Sequence, residues 1–81
     1  MAYHRNGNTT IVIGESRGRK EYDLTRYLSG GGSSRKSFAN EKGLEAFLDE
    51  EAEKTGITIM YPKRISEGTR TMILRLQRKY A

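Results

Sequence analysis

The sequence predicts a small α+β domain, an antiparallel β-sheet of four to five strands with one amphipathic helix packed on one face. Residues 40–56 carry a helical pattern of apolar side chains, and β-branched or alternating segments lie on both sides of them. A chain of 81 residues is long enough for one domain. The predicted order is β-β-β-α-β-β, with residues 1–8 as a flexible N-terminal arm and residues 9–81 as the single domain.

The segment from Asn40 to Gly56 gives the clearest local signal, that of an amphipathic helix. Asn40 is a favoured N-cap residue, and Gly56 suits the left-handed position just past a helix end. The apolar stripe at helical spacing consists of Leu44, Phe47, Leu48 and Ala52. We expect Phe47 to be the central core contact of this helix.

Five other segments are predicted strands because they are β-branched or alternate in polarity. They are Thr9–Ser16, Glu21–Ser29, Arg35–Ala39, Ile57–Pro62 and Thr69–Tyr80. The last segment stays open between strand and helix. Its Thr-Arg-Thr-Met-Ile opening favours a strand, whereas Leu74, Gln77 and Arg78 are good helix formers.

A final strand would be longer than its predicted neighbour, which Pro62 ends, and part of its edge would be unpaired. In that strand Ile73 would lie on the face opposite Met72, Leu74 and Leu76. A homodimer through this strand would bury the isoleucine, so self-association is one expectation from the sequence.

Charge is segregated along the chain, which has a net charge of +5. Six of the ten acidic residues lie in residues 40–56, which carry a net charge of −4, while the rest of the chain carries +9. A basic surface away from an acidic helix is typical of proteins that bind polyanions.

The sequence predicts no enzyme, no cofactor and no metal site. Cysteine is absent, and the single histidine, His4, lies in the predicted arm without a cluster of ligands. The segment GGGSSRKS, residues 30–37, differs from the phosphate-binding pattern GxxxxGK[ST], because Arg35 replaces the second glycine. Neither a membrane span nor a signal peptide is predicted, so we expect a cytoplasmic protein, of the host cell if the chain is viral.

The function predicted from these patterns is nucleic-acid binding, of DNA or RNA, through arginine and lysine contacts with phosphates. The predicted contact residues are Arg17, Arg19, Lys20, Arg26, Tyr27, Arg35, Lys36, Arg75 and Lys79. Among them Tyr27 is the expected stacking ring. The alternative is a small inhibitor or adaptor of the phage or mobile-element type, which binds a protein target through its acidic helix or a strand edge.

Overall fold

A computed structural model describes residues 8–16, 21–28 and 30–80, which form a small α+β domain. This part of the chain contains a four-stranded mixed sheet and two helices. The elements in chain order are β1 (Asn8–Ser16), β2 (Glu21–Tyr27), β3 (Ser33–Phe38), α1 (Glu41–Lys54), β4 (Gly56–Met60) and α2 (Glu67–Lys79). The predicted arm lies outside the described residues except for Asn8, which begins β1.

The strands are arranged in the order β3-β2-β1-β4. β1, β2 and β3 form an antiparallel meander, but β4 runs parallel to β1. The prediction of a wholly antiparallel sheet is therefore wrong at β4. The physical reason is the crossover: α1 carries the chain back along the sheet, so that β4 starts beside the first residues of β1.

The core lies between one face of the sheet and both helices. Ile11, Ile13 and Leu24 point from β1 and β2 toward the helices and are fully or almost fully buried. The other buried apolar side chains are Leu44, Leu48, Ile57, Ile59, Met72, Ile73 and Leu76. Each described helix thus covers the same side of the sheet, and the opposite side is left without a helix from this part of the chain.

The structure confirms the predicted helix α1 and its N-cap, since the Asn40 side chain accepts a hydrogen bond from the Gly43 amide at 2.9 Å. Phe47 is only half-buried, and its ring lies 5.5 Å from that of Phe38, so Leu44 and Leu48 are the central core contacts instead. The prediction for Gly56 is wrong. The helix ends at Thr55 in an extended conformation, and Gly56 begins β4.

The strand interpretation of residues 69–80 is wrong, and the helical alternative is confirmed by α2. Ser66 is its N-cap, and its hydroxyl accepts from the Thr69 amide at 3.3 Å. The buried residues of this helix are Thr69, Met72, Ile73 and Leu76. This spacing of i, i+3, i+4 and i+7 is a helical stripe, and it places Ile73 beside Met72 in the core. The predicted homodimer required residues 69–80 to form an edge strand. Because residues 67–79 form a helix instead, that dimer has no structural basis.

Glu15 at the end of β1 fixes the start of α2. Its carboxylate accepts hydrogen bonds from the Thr69 hydroxyl at 2.7 Å and from the amide and hydroxyl of Ser66. These bonds favour the ionised form, the Thr69 bond most strongly, so they lower the pKa of Glu15 from its ordinary value of 4.5. A carboxylate at this position also complements the positive end of the helix dipole.

Candidate nucleic-acid interface

The side of the sheet opposite the helices, here called the open face, is the candidate interface. Because side chains alternate along a strand, the register assigns every second residue to it. Thr10 is paired with Tyr27, which is paired with Ser33, and Thr25 is paired with Arg35. The open face consists of Asn8, Thr10, Val12, Gly14, Ser16, Glu21, Asp23, Thr25, Tyr27, Ser33, Arg35, Ser37, Gly56, Thr58 and Met60.

Tyr27 and Arg35 are diagonal neighbours on the open face. Tyr27 lies opposite Ser33, and Arg35 lies two residues further along the same strand. Diagonal partners of this kind have Cβ atoms roughly 7–8 Å apart, within reach of one ligand. Tyr27 is 48% exposed and Arg35 is exposed as well. The structure therefore brings the predicted stacking ring and one predicted phosphate contact onto one surface.

Hydroxyl groups and a small apolar pair occupy most of the remaining open face. Val12 is paired with Met60, which is 52% exposed. Hydroxyl side chains of serine and threonine on the same surface belong to Thr10, Ser16, Thr25, Ser33, Ser37 and Thr58. The sequence did not identify this group because the face on which a side chain lies depends on how the strands pair. The available signal was the alternation of β2, which puts Asp23, Thr25 and Tyr27 on one face.

The end of the open face where β1 and β4 finish carries charges of both signs. Glu21 and Asp23 lie there, and Asp23 accepts a hydrogen bond from the Ser37 hydroxyl at 3.0 Å. Pro62, two residues after β4, lies beside Gly14 at this end, since a Cβ added to Gly14 would lie 3.6 Å from the Pro62 ring. Lys63 and Arg64 follow Pro62 and are exposed. Cations that follow a strand end at the rim of a sheet are accessible to a long polyanion.

The predicted contacts Arg17, Arg19 and Lys20 lie outside the described residues. In the sequence they fall between Ser16 and Glu21, which are paired across β1 and β2. Their part in the candidate interface stays a prediction.

Arg26 lies on the helix side of β2, where it forms an ion pair with Glu51 of α1. Glu51 is only 6% exposed. The Arg26 guanidinium also lies 5.9 Å from the centre of the Phe47 ring, and its Nε atom has no hydrogen-bond partner among the described residues. Arg26 thus anchors α1 to the sheet, on the side opposite Tyr27 and Arg35.

Arg75 and Lys79 of α2 form ion pairs with the acidic side of α1. Arg75 contacts Glu41 and Glu45, and Lys79 contacts Glu45 and Asp49. The bonds from Lys79 and Arg75 lower the pKa of Glu45. Much of the acidity of α1 is therefore compensated within the molecule, and these two predicted contacts lie away from the open face.

Tyr80 also links α2 to α1, because its hydroxyl donates a hydrogen bond to the Asp49 carboxylate at 2.5 Å. Partial burial and this bond raise the pKa of Tyr80 to about 12. Such a phenol remains neutral at physiological pH and acts as a donor in the helix contact.

Lys36 lies on the helix side of β3 but at the exposed edge of the sheet. Its ammonium group is 5.2 Å from the centre of the Phe47 ring and 5.7 Å from that of Phe38. Within the described residues no carboxylate forms a salt bridge with Lys36 or with Arg35. No described carboxylate compensates these two cations, so both are available to an external ligand.

Residues 8–16, 21–28 and 30–80 contain no group of three histidine or acidic side chains arranged to hold a metal ion. Neither described helix is long and apolar enough to cross a membrane. Comparison of the chain with protein-family models, with curated proteins and with solved structures finds no match.

Proposed function

We propose that this protein binds single-stranded nucleic acid on the open face of its sheet. The observation that carries the proposal is the juxtaposition of exposed Tyr27 with exposed Arg35 on a hydroxyl-rich surface that no described helix covers. The net charge of +5 supports the same conclusion, because a basic protein attracts polyanions over distances longer than any single contact.

Each part of this surface has a defined role. The Tyr27 ring stacks on an unpaired base, a contact that tolerates any sequence because every base has a π-face. Arg35 binds the adjacent phosphate, and its planar guanidinium suits a two-pronged contact. The threonine and serine hydroxyls offer neutral hydrogen bonds to phosphate and sugar oxygens. A single strand fits better than a duplex, since paired bases are not free to stack on a protein ring.

The proposed activity is binding without catalysis. A protein target could be bound through the acidic helix or through a strand edge. The acidic helix is the weaker candidate, because Glu41, Glu45 and Asp49 are engaged by α2. The strand edge is a separate surface.

The first test is the affinity for labelled single-stranded DNA, single-stranded RNA and duplex DNA, measured by fluorescence anisotropy. Tyr27→Ala should weaken single-strand binding about tenfold, because stacking on one base is worth roughly 1–3 kcal/mol. Tyr27→Phe is the matched control, since it keeps the ring and should retain most of the affinity. Equal losses in both variants would contradict stacking.

The second test separates a specific phosphate contact from general charge. Arg35→Ala should lower the slope of log affinity against log salt by about 0.7, the value for one phosphate on a single strand. Arg78→Ala removes the same charge from the exposed side of α2, away from the open face. No binding at low salt, or identical effects of the two substitutions, would overturn the proposed interface.

A further inference from the structure

The two edge strands of the sheet, β3 and β4, differ in how far other parts of the described chain cover them. At β4, the Gln77 side-chain amide donates to the Ile59 carbonyl oxygen at 2.7 Å. Gln77 and Tyr80 of α2 line a shallow pocket along Ile57, Thr58 and Ile59. Helix α2 therefore partly shields this edge and satisfies one of its backbone acceptors.

At β3 the described residues leave the edge uncovered. The Leu28 amide donates to the Gly32 carbonyl oxygen at 3.1 Å, which identifies these two opposite residues as a hydrogen-bonded pair. Bonded and non-bonded pairs alternate along an antiparallel ladder, so Ser34 and Lys36 bond to β2. The amide and carbonyl groups of Ser33, Arg35 and Ser37 then point outward, and all three residues are exposed.

The turn that precedes β3 holds this edge in a defined position. Gly31 and Gly32 have φ angles of 93° and 87°, which a residue with a side chain rarely adopts. The Gly31 amide donates to the Leu28 carbonyl oxygen at 3.1 Å. Hydrogen bonds therefore hold Leu28 to Gly31 and Gly32, and β3 begins directly after Gly32.

We propose that β3 accepts an extended, acidic segment of another protein as an additional strand. The outward backbone groups of Ser33, Arg35 and Ser37 supply the hydrogen bonds of such a pairing. Charge selects the ligand: Arg35 lies on the open-face side of the strand, where it would face the acidic side chains of the added strand, and it is not in a salt bridge with a described carboxylate. Opposite charges across adjacent strands stabilise the pair.

A second copy of this chain is a poor occupant of the same edge. A two-fold antiparallel pairing of β3 with itself, centred on Arg35, would place Arg35 directly opposite its symmetry mate. Like charges directly opposite each other destabilise a strand pair. The basic residues thus oppose self-pairing and favour an acidic strand.

The helix side of the added strand would meet an apolar surface. Phe38 and Phe47 are half-buried there, at the edge beside Lys36. An apolar side chain opposite Phe38 would cover both rings, while an acidic side chain on the other side of the strand would face Arg35. The ligand is therefore a segment in which acidic and apolar residues alternate.

The probe that tests this is a capped peptide of alternating glutamate and valine, about eight residues long, which is an ordinary strand length. Titration followed by amide NMR shifts and by hydrogen exchange should show changes and new protection at Ser33, Arg35 and Ser37. A lysine–valine peptide of the same length is the control and should not bind. Equal binding of both peptides, or of neither, would overturn the proposal.

Two variants separate the contribution of the Arg35 backbone amide to peptide affinity from that of its side chain. Arg35→Ala removes the charge and should weaken the glutamate–valine peptide about fivefold. Arg35→Pro removes the outward amide as well, so it should bind more weakly still. Nucleic-acid binding on the open face would respond equally to both substitutions, which distinguishes failure of this proposal from failure of the proposed function.

If Arg35→Pro does not fold, the charge reversal Arg35→Glu keeps the question open to measurement. It should lower affinity for the glutamate–valine peptide and raise it for the lysine–valine peptide. Shifts at Tyr27 and Met60 instead of the β3 edge would contradict strand addition, and a dimer through β3 in sedimentation equilibrium would contradict the proposed occupant.

Discussion

The two faces of the sheet use similar residues for different purposes. On the helix side, Arg26 is held by a buried glutamate, and Arg75 and Lys79 compensate the acidic side of α1. On the open face, Arg35 and Tyr27 are exposed, and no described carboxylate forms a salt bridge with the arginine.

This difference shows how a linear charge pattern is to be interpreted. A cation contributes to ligand binding only to the extent that the fold leaves its charge uncompensated. The acidic segment and the basic remainder of the chain are distinct in sequence, but α2 folds its cations onto α1. The charge left for a partner is therefore smaller and more localised than the sequence suggests.

The largest expected effect concerns packing on the two faces. Leu48→Ala should lower the free energy of unfolding by about 2–5 kcal/mol, because Leu48 is fully buried between α1 and the sheet. Val12→Ala on the open face should cost about 1 kcal/mol or less. Chemical denaturation measures both. Similar costs would mean that the open face is also buried, for example against another copy of the chain.

A second, smaller effect concerns the partly buried ion pair of Arg26 and Glu51. Glu51→Gln should cost about 2 kcal/mol, since it leaves the Arg26 charge in a poorly solvated site. Glu50→Gln is the matched control, because it makes the same change one residue away on the exposed side. The double variant Arg26→Met/Glu51→Leu should recover most of the loss in thermal unfolding. A double variant as unstable as Glu51→Gln would show that the pair itself is required.

The smallest effect concerns Glu15 and is dependent on pH. Its pKa is lowered in the folded protein, so the stability it contributes is fully present above about 4.5, its ordinary value. That contribution is lost as the pH falls through the folded pKa. Glu15→Gln should therefore cost about 1 kcal/mol at neutral pH and progressively less in acid. Glu21→Gln, at the same end of the sheet, is the control. If the loss of stability in Glu15→Gln did not depend on pH, the proposed role of the ionised Glu15 carboxylate at the start of α2 would be contradicted.

Some features were predictable because their causes are local. Asn40 and the stripe of Leu44 and Leu48 identified α1, and β-branched residues identified the first strand. The buried position of Glu51 was also accessible, since it lies at i+7 from Leu44 on the same stripe. The alternation of β2 likewise placed Arg26 with Tyr22 and Leu24, on the side that the helices cover.

Helix α2 was misassigned because Thr69, Thr71 and Ile73 have high β-propensity, although a helical signal was present. Ser66 is an N-cap residue, and Thr69, Met72, Ile73 and Leu76 repeat at helical spacing. Propensity is a weak guide where burial decides, and the apolar stripe of this helix is stabilised by the sheet and by α1. The spacing was therefore more informative than the residue types.

The sequence by itself determined the α+β class, the first helix, three strands before that helix and a basic chain with an acidic segment. The tertiary structure decided that β4 is parallel to β1, that residues 67–79 are helical and that Arg26, Arg75 and Lys79 are in internal ion pairs. The physical reason is the distance along the sequence over which each interaction acts. Caps and periodicity act over a few neighbouring residues, whereas strand order and ion pairs join residues that are distant in the chain and meet only when the core is formed.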